Sequence, residues 1–216
     1  MKTHQGANWN QAVTLIDVLI VIAVVLLLGA LILPRLAHVH VNTARNSCAS
    51  HLKQVGLAFQ LWSEDNGNKY PMAVSTNQRG SMERALAGDI VLTFQVMSNE
   101  LSTPRVLVCR ADERRTYVTN FTDLTGDNIS YFVGVDATAT NATMFLGGDR
   151  NLTIGKGISS GLQSITTNQA VRWTSEIHKN AGNVLLVDGS VQQFSSSGLR
   201  EALAKTGVAT NRLAFP

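Results

Sequence analysis

Four sets of residues have types and spacing that could carry chemistry. Gly157-Ile158-Ser159-Ser160-Gly161 matches Gly-x-Ser-x-Gly, the turn that exposes a nucleophilic serine between a strand and a helix. Its flanks, Thr153-Ile154 and Leu162-Gln163-Ser164, give neither element clearly, so the motif reads as a loop. His178 and Asp188 offer an imidazole and a carboxylate, the groups of acid–base catalysis. Yet Asp188-Gly189 lies between Val184-Leu185-Leu186-Val187 and Val191-Gln192-Gln193-Phe194, which is a hairpin signal. The turn takes positive φ, which Asp and Gly supply cheaply. His178 then reads as a hydrogen-bond donor that fixes the preceding loop, and no catalytic residue is assigned. Asp127, Asp136, Asp149 and Asp188 carry the oxygen ligands calcium prefers, but without EF-hand spacing. Cys48 and Cys109 are too few and too far apart for a zinc site built on Cys-x-x-Cys. They are either a disulfide or two separate buried thiols.

The elements that must position these groups start with one apolar segment. Every residue from 13 to 33 except Thr14, Asp17 and Gly29 is hydrophobic. As a helix it would be about 31 Å long at ~1.5 Å per residue, roughly the hydrocarbon thickness of a bilayer. A cleavable secretory signal would have its small-residue site after the apolar run. Here Pro34-Arg35-Leu36 follows it, and the small residue, Ala12, precedes it. Cleavage therefore belongs on the N-terminal side, which leaves the helix attached. Asp17 sits near the start of this helix, where a negative charge interacts favourably with the helix dipole.

Beyond Pro34 the apolar positions Val41, Ala44, Cys48, Leu52, Val55, Phe59 and Trp62 recur every three or four residues. This stripe continues the helix to about Asp65, with Asn66-Gly67 as its stop. The rest mixes short helices with strands. Ser81 caps a helix to Leu86, closed by Gly88, and Ile90, Phe94 and Met97 mark another. Val106–Val108, Ile129–Val135 and Asn183–Val187 read as strands. Ser197 opens a last helix, Leu199 to Lys205, with Glu201 in its first turn. The expectation is an α+β chain, with the second half of the long helix packed on an antiparallel sheet. Hydrophobic residues make up 44% and charged ones 15%, which excludes a disordered, collagen-like or cysteine-rich chain. A net charge of +3 without basic runs argues against nucleic acid as a partner.

Ala12-Val13-Thr14-Leu15-Ile16-Asp17, followed by the apolar run, resembles the processing signal of type IV prepilins and type II secretion pseudopilins. That signal is Gly followed by Phe-Thr-Leu-Ile-Glu. The chain departs from it with Ala12, Val13 and Asp17, which keep the small size, the apolar character and the charge. Mature pilins carry a proline 21 residues after the new N-terminus, and Pro34 stands 21 residues after Val13. Downstream, the chain is similar to a pilin-like family of planctomycete and verrucomicrobial genomes that ends in His-x9-Asp-Gly. His178 followed at that spacing by Asp188-Gly189 matches it, as do Leu52–Phe59, Ser98–Pro104, Ile129–Gly134 and Gly148–Asn151.

The resemblance implies a 1–12 leader removed by prepilin peptidase between Ala12 and Val13, with methylation of the new amine. It implies a 13–33 transmembrane helix kinked near Pro34, a 34–66 amphipathic continuation and a 67–216 pilin-like head. Inner-membrane lipid, the peptidase and other pilin-like subunits are the implied partners, with the head in the periplasm. Some pseudopilins hold calcium in the head, which would make Asp127 and Asp149 candidate ligands. A head outside the cytoplasm permits a Cys48–Cys109 disulfide. An anchored enzyme or ligand-binding head that never polymerises is the alternative, and a DNA-binding minor pilin a third.

Overall fold

A computed structural model describes residues 15–155 and 157–216, the side chains of 31–43 and of Ile158 excepted. The chain divides into two compact units, one through Asn42 and one from Thr43 to Pro216. Helix α1, Leu15–Asp65, runs through both, with helical backbone continuing across Pro34. The expected kink at Pro34 and the end of the apolar segment involve side chains outside the described residues, as do Ala12, Val13 and Thr14. In the first unit, Leu15, Ile16, Val18–Ile22 and Val24–Leu28 all stand exposed. At 100° per residue they occupy every side of the helix. Among the described residues, no helix is long and apolar enough to cross a membrane.

In the second unit the amphipathic stripe of α1 is the first layer. Cys48, Leu52, Val55, Ala58, Phe59 and Trp62 are buried. Its end is built by Gly67 at φ +66° and Asn68 at +57°. The Asn68 N–H returns to the Ser63 carbonyl at 2.8 Å, the 6→1 bond of a Schellman stop. The short helices α2, Met82–Leu86, α3, Val91–Val96, and α4, Ser98–Leu101, follow. Ser81 precedes α2 as expected but does not cap it. Its hydroxyl is buried against the Thr93 hydroxyl at 2.8 Å, tying α2 to α3.

The middle layer is a six-stranded antiparallel sheet. Its strands are β1 (Tyr131–Gly134), β2 (Phe145–Asp149), β5 (Gly161–Thr166), β7 (Ala181–Leu186), β8 (Val191–Ser195) and β9 (Thr210–Phe215). The order is β5-β9-β1-β2-β7-β8. Side chains alternate between its two faces. Tyr131, Val133, Leu146, Leu185, Val187 and Ala214 share one core with α1. Phe132, Phe145, Val184, Leu186, Leu213 and Phe215 share another. Gly56 lets α1 approach, since a Cβ there would lie 2.7 Å from a methyl of Leu185.

The second core is closed by helix α5, Ser196–Lys205, and by a three-stranded sheet of β3 (Leu152–Ile154), β4 (Gly157–Ile158) and β6 (Val171–Trp173). Ser195, two residues before the expected Ser197, caps α5 by accepting from the Gly198 N–H at 3.2 Å. Of the expected strand Val106–Val108, Val106 and Leu107 instead end a 3-10 turn, Pro104–Leu107, which Val108 follows in extended backbone. Pro104 presets its first φ, and the Thr103 hydroxyl accepts from the Arg105 N–H. The β7–β8 hairpin is present, but only Gly189 has positive φ, at +80°. The Gly189 N–H donates to Leu186 and the Leu186 N–H to Ser190, which is a type I turn followed by a glycine bulge.

Close strand approach places Gly134 where a Cβ would lie 1.9 Å from the Phe145 carbonyl oxygen. Gly134→Ala is expected to destabilise the chain by about 3 kcal/mol, the upper part of the overpacking range. Gly157→Ala, which meets nothing within 4 Å, should cost under about 0.5 kcal/mol. Urea unfolding of the purified chain measures both.

Candidate functional site

The sequence-predicted residues converge only in part. Cys48 and Cys109 are joined, bridging α1 to the 109–115 loop across a sequence separation of 61. Both are buried. His178 lies against this bond, its Nε2 3.4 Å from Cys109 Sγ. The same nitrogen is 3.5 Å from Oδ2 of Asp149, at the end of β2. Asp149 Oδ2 also accepts from the backbone N–H of Asn183 at 2.7 Å and from its side-chain amide at 3.0 Å. Asp149 Oδ1 has no hydrogen-bond partner among the described residues. From α1, Arg45 donates to the carbonyl of His178.

His178 reaches this position through unusual backbone. His178, Lys179 and Asn180 have φ of +56°, +52° and +63°, a run of left-handed residues without glycine. Such residues cost about 1–2 kcal/mol each. Asn151 offsets the cost, its side-chain amide donating to the Ile177 carbonyl at 2.8 Å and to Thr174 at 3.1 Å.

Beside it, Arg150 donates through Nε and Nη2 to the two oxygens of buried Asp112 at 2.8 and 2.7 Å, a bidentate pair. Arg150 also contacts Glu176, which binds Arg114 at 3.1 Å. These ion pairs sew the loop carrying Cys109 to the segment carrying His178. Arg45, Arg150 and Asn151 were not singled out from the sequence. Nothing local marks them.

Other expectations separate from this cluster. Asp188 is not a partner of His178. Its carboxylate accepts from the Ser190 N–H at 2.8 Å, at the far end of β7. Ser159 is buried between β4 and β5, with no helix after it, so the Gly-x-Ser-x-Gly segment is not a nucleophile turn. The calcium candidates are dispersed among protein partners: Asp127 on Arg115, Asp136 on Arg212, Asp149 on Asn183 and Asp188 on Ser190. Among the described residues, the one group of three metal-ligating side chains is Cys48, Cys109 and His178, and none of these aspartates belongs to it.

The cluster is enclosed, so its chemistry is that of a covalent lock with one proton. Burial pushes the Asp149 carboxyl up to about 7. Burial, with Arg45 nearby, pushes the His178 imidazole down to about 4. Between these values a single proton lies on the carboxyl and the imidazole is neutral, so their contact is not a conventional ion pair.

Two outcomes follow from this geometry. Cys48→Ala with Cys109→Ala should lower unfolding free energy by about 4 kcal/mol, the loop-closure contribution, read from urea midpoints. The pH dependence should emerge only on breaking the buried pair. Asp149, raised on folding from about 3.9, favours the folded state below that value and loses this as pH rises through about 7. His178, lowered on folding from about 6.5, favours the folded state above that value and loses this as pH falls through about 4. The two slopes oppose each other. Asp149→Asn should give a stability that rises with pH across this window, and His178→Gln one that falls, in urea unfolding at stepped pH.

No family model, curated protein or solved structure matches the chain.

Proposed function

We propose that the chain is a pilin-like structural subunit, held in the inner membrane by the apolar part of α1, cleaved between Ala12 and Val13, and assembled through that helix into a pseudopilus. The observation that carries this reading is the exposure of apolar side chains around every side of α1 from Leu15 to Leu28. An all-round apolar helix surface is stable when lipid or other helices cover it. The disulfide supplies what a load-bearing subunit needs, a covalent tie between α1 and the head fold. In the assembled form Asp17 pairs with the new amine of a neighbouring copy, which sets the stagger between subunits. Two such charges are acceptable in an apolar setting only together.

A second reading, an anchored binding head that does not polymerise, is favoured by an open cleft of about 650 Å³ lined by His51, Arg105, Val106, Arg110 and Tyr117. It contains two arginines and no carboxylate among those residues.

N-terminal sequencing of membrane-extracted chain should read methylated Val13, and an intact Met1 would remove the processing step. Asp17→Ala should insert normally but lose about 3 kcal/mol of assembly free energy, roughly a hundredfold in incorporation. Crosslinking through cysteines placed on the apolar half of α1 measures it. Unchanged incorporation sinks the charge-pairing step, and absence of any crosslinked wild-type species favours the second reading.

A further inference from the structure

We propose that, when the Cys48–Cys109 bond is reduced, Cys48, Cys109, His178 and Asp149 bind a zinc-class divalent metal ion in the place of the disulfide. This inference does not depend on the pilin reading.

The spacing of the ligand atoms is the first argument. Both sulfurs and a ring nitrogen of His178 lie within 4.8 Å of one another. Metal–N and metal–O bonds of about 2.0–2.2 Å and metal–S bonds of about 2.3 Å place neighbouring ligands of a tetrahedral site roughly 3.3–3.8 Å apart. Nε2 of His178 is 3.4 Å from Cys109 Sγ and 3.5 Å from Asp149 Oδ2, which is already that spacing. Two movements complete the site: the sulfurs must separate to roughly 3.8 Å, with Cα atoms 5.0 Å apart and within reach of side-chain rotation, and the Asp149 carboxylate, which lies outside the group of three, must turn toward them.

The second argument is the unused acceptor. Asp149 is fully buried and its Oδ1 has no hydrogen-bond partner among the described residues, an arrangement that calls for an electropositive neighbour. The third is charge. Two thiolates and one carboxylate against a dication and the Arg45 guanidinium sum to zero, so no net charge is buried. Two sulfurs and an imidazole select zinc-class ions over calcium.

The chemistry balances. A dithiol or phosphine reductant supplies two electrons and solvent two protons, giving two thiols from the S–S bond. Metal binding then displaces both thiol protons to solvent, and any proton held by the Asp149–His178 pair leaves with them. The tie between α1 and the 109–115 loop thus persists in reducing surroundings, with a metal ion replacing a covalent bond.

The test uses the full-length chain in detergent micelles, reduced with a phosphine and titrated with Co²⁺. The reduced chain should develop visible d–d bands and thiolate-to-cobalt charge transfer at one ion per chain, bleached by Zn²⁺, while the oxidised chain shows neither. Asp149→Asn and His178→Ala should each weaken binding about 10–100-fold. A second measurement needs no variant: Zn²⁺ should protect both thiols of the reduced wild-type chain from alkylation. Absence of the charge-transfer band, unprotected thiols in the presence of Zn²⁺, or cobalt binding unaltered by His178→Ala would each overturn the proposal.

Discussion

Half of α1 has to stay registered against a sheet it is distant from in sequence, and the Cys48–Cys109 bond is what makes that register permanent. The stripe from Leu52 to Trp62 gives non-directional attraction, which resists separation well but sliding poorly. Three features add direction. The disulfide pins the beginning of the stripe, the approach of Gly56 to Leu185 sets its middle, and the Gly67–Asn68 stop sets its end. The disulfide can do this only if its second cysteine is itself fixed. That is the role of the Arg150–Asp112–Glu176 ion pairs, whose burial is costly and whose contribution is to hold one loop in one place.

The spacing of His178 and Asp188-Gly189 has a geometric basis here. His178 begins the left-handed turn that leads into β7, and Asp188-Gly189 closes the turn that leads out of it. Between them lie the rest of the first turn, the six residues of β7 and Val187. One end of a single strand therefore faces the disulfide and the other the hairpin, roughly 20 Å away at ~3.4 Å per residue. A one-residue change in β7 would turn His178 away from Cys109 or reverse the faces shown by Val184 and Leu185. The spacing is thus the length of one strand paired on both sides, with no direct contact between its two named residues.

These relations also explain what the sequence made legible. Periodicity alone locates the stripe of α1, since Cys48, Leu52, Val55, Phe59 and Trp62 repeat at helical spacing and are buried. Local turn chemistry locates the β7–β8 hairpin and, within two residues, the start of α5. The strands β5 and β9 carry no such mark. Gly161–Thr166 contributes one buried side chain, Ile165, and lies at the sheet edge, while Thr210-Asn211-Arg212 looks polar although Asn211 is buried in the sheet. At Val106–Val108, β-branched residues outweigh Pro104 in propensity, yet the proline and the Thr103 cap decide the local structure. The disulfide is one of the two outcomes open to the cysteines from the sequence, but the Asp149–His178 contact and the Asn151 bonds involve residues 23 to 30 apart with no periodic relation. Such contacts become visible only in three dimensions.

The placement of the lock bears on the proposed subunit role. Cys48 lies before Leu52, the first fully buried large residue of the stripe, when α1 is followed from its N-terminal end. In the proposed subunit, force entering the head along α1 would meet the Arg45 bond to the His178 carbonyl and then the covalent bond before it meets the apolar stripe. From Cys109 that load would pass into Asp112, Arg150 and β2, a strand paired on both sides within the six-stranded sheet. Without that bond the same force would act on the stripe alone, where apolar contacts yield one residue at a time. A binding head anchored only to stay near a membrane has no need of such a route. The combination of a bond at the entry point and ion pairs behind it therefore favours the load-bearing subunit over the passive anchor.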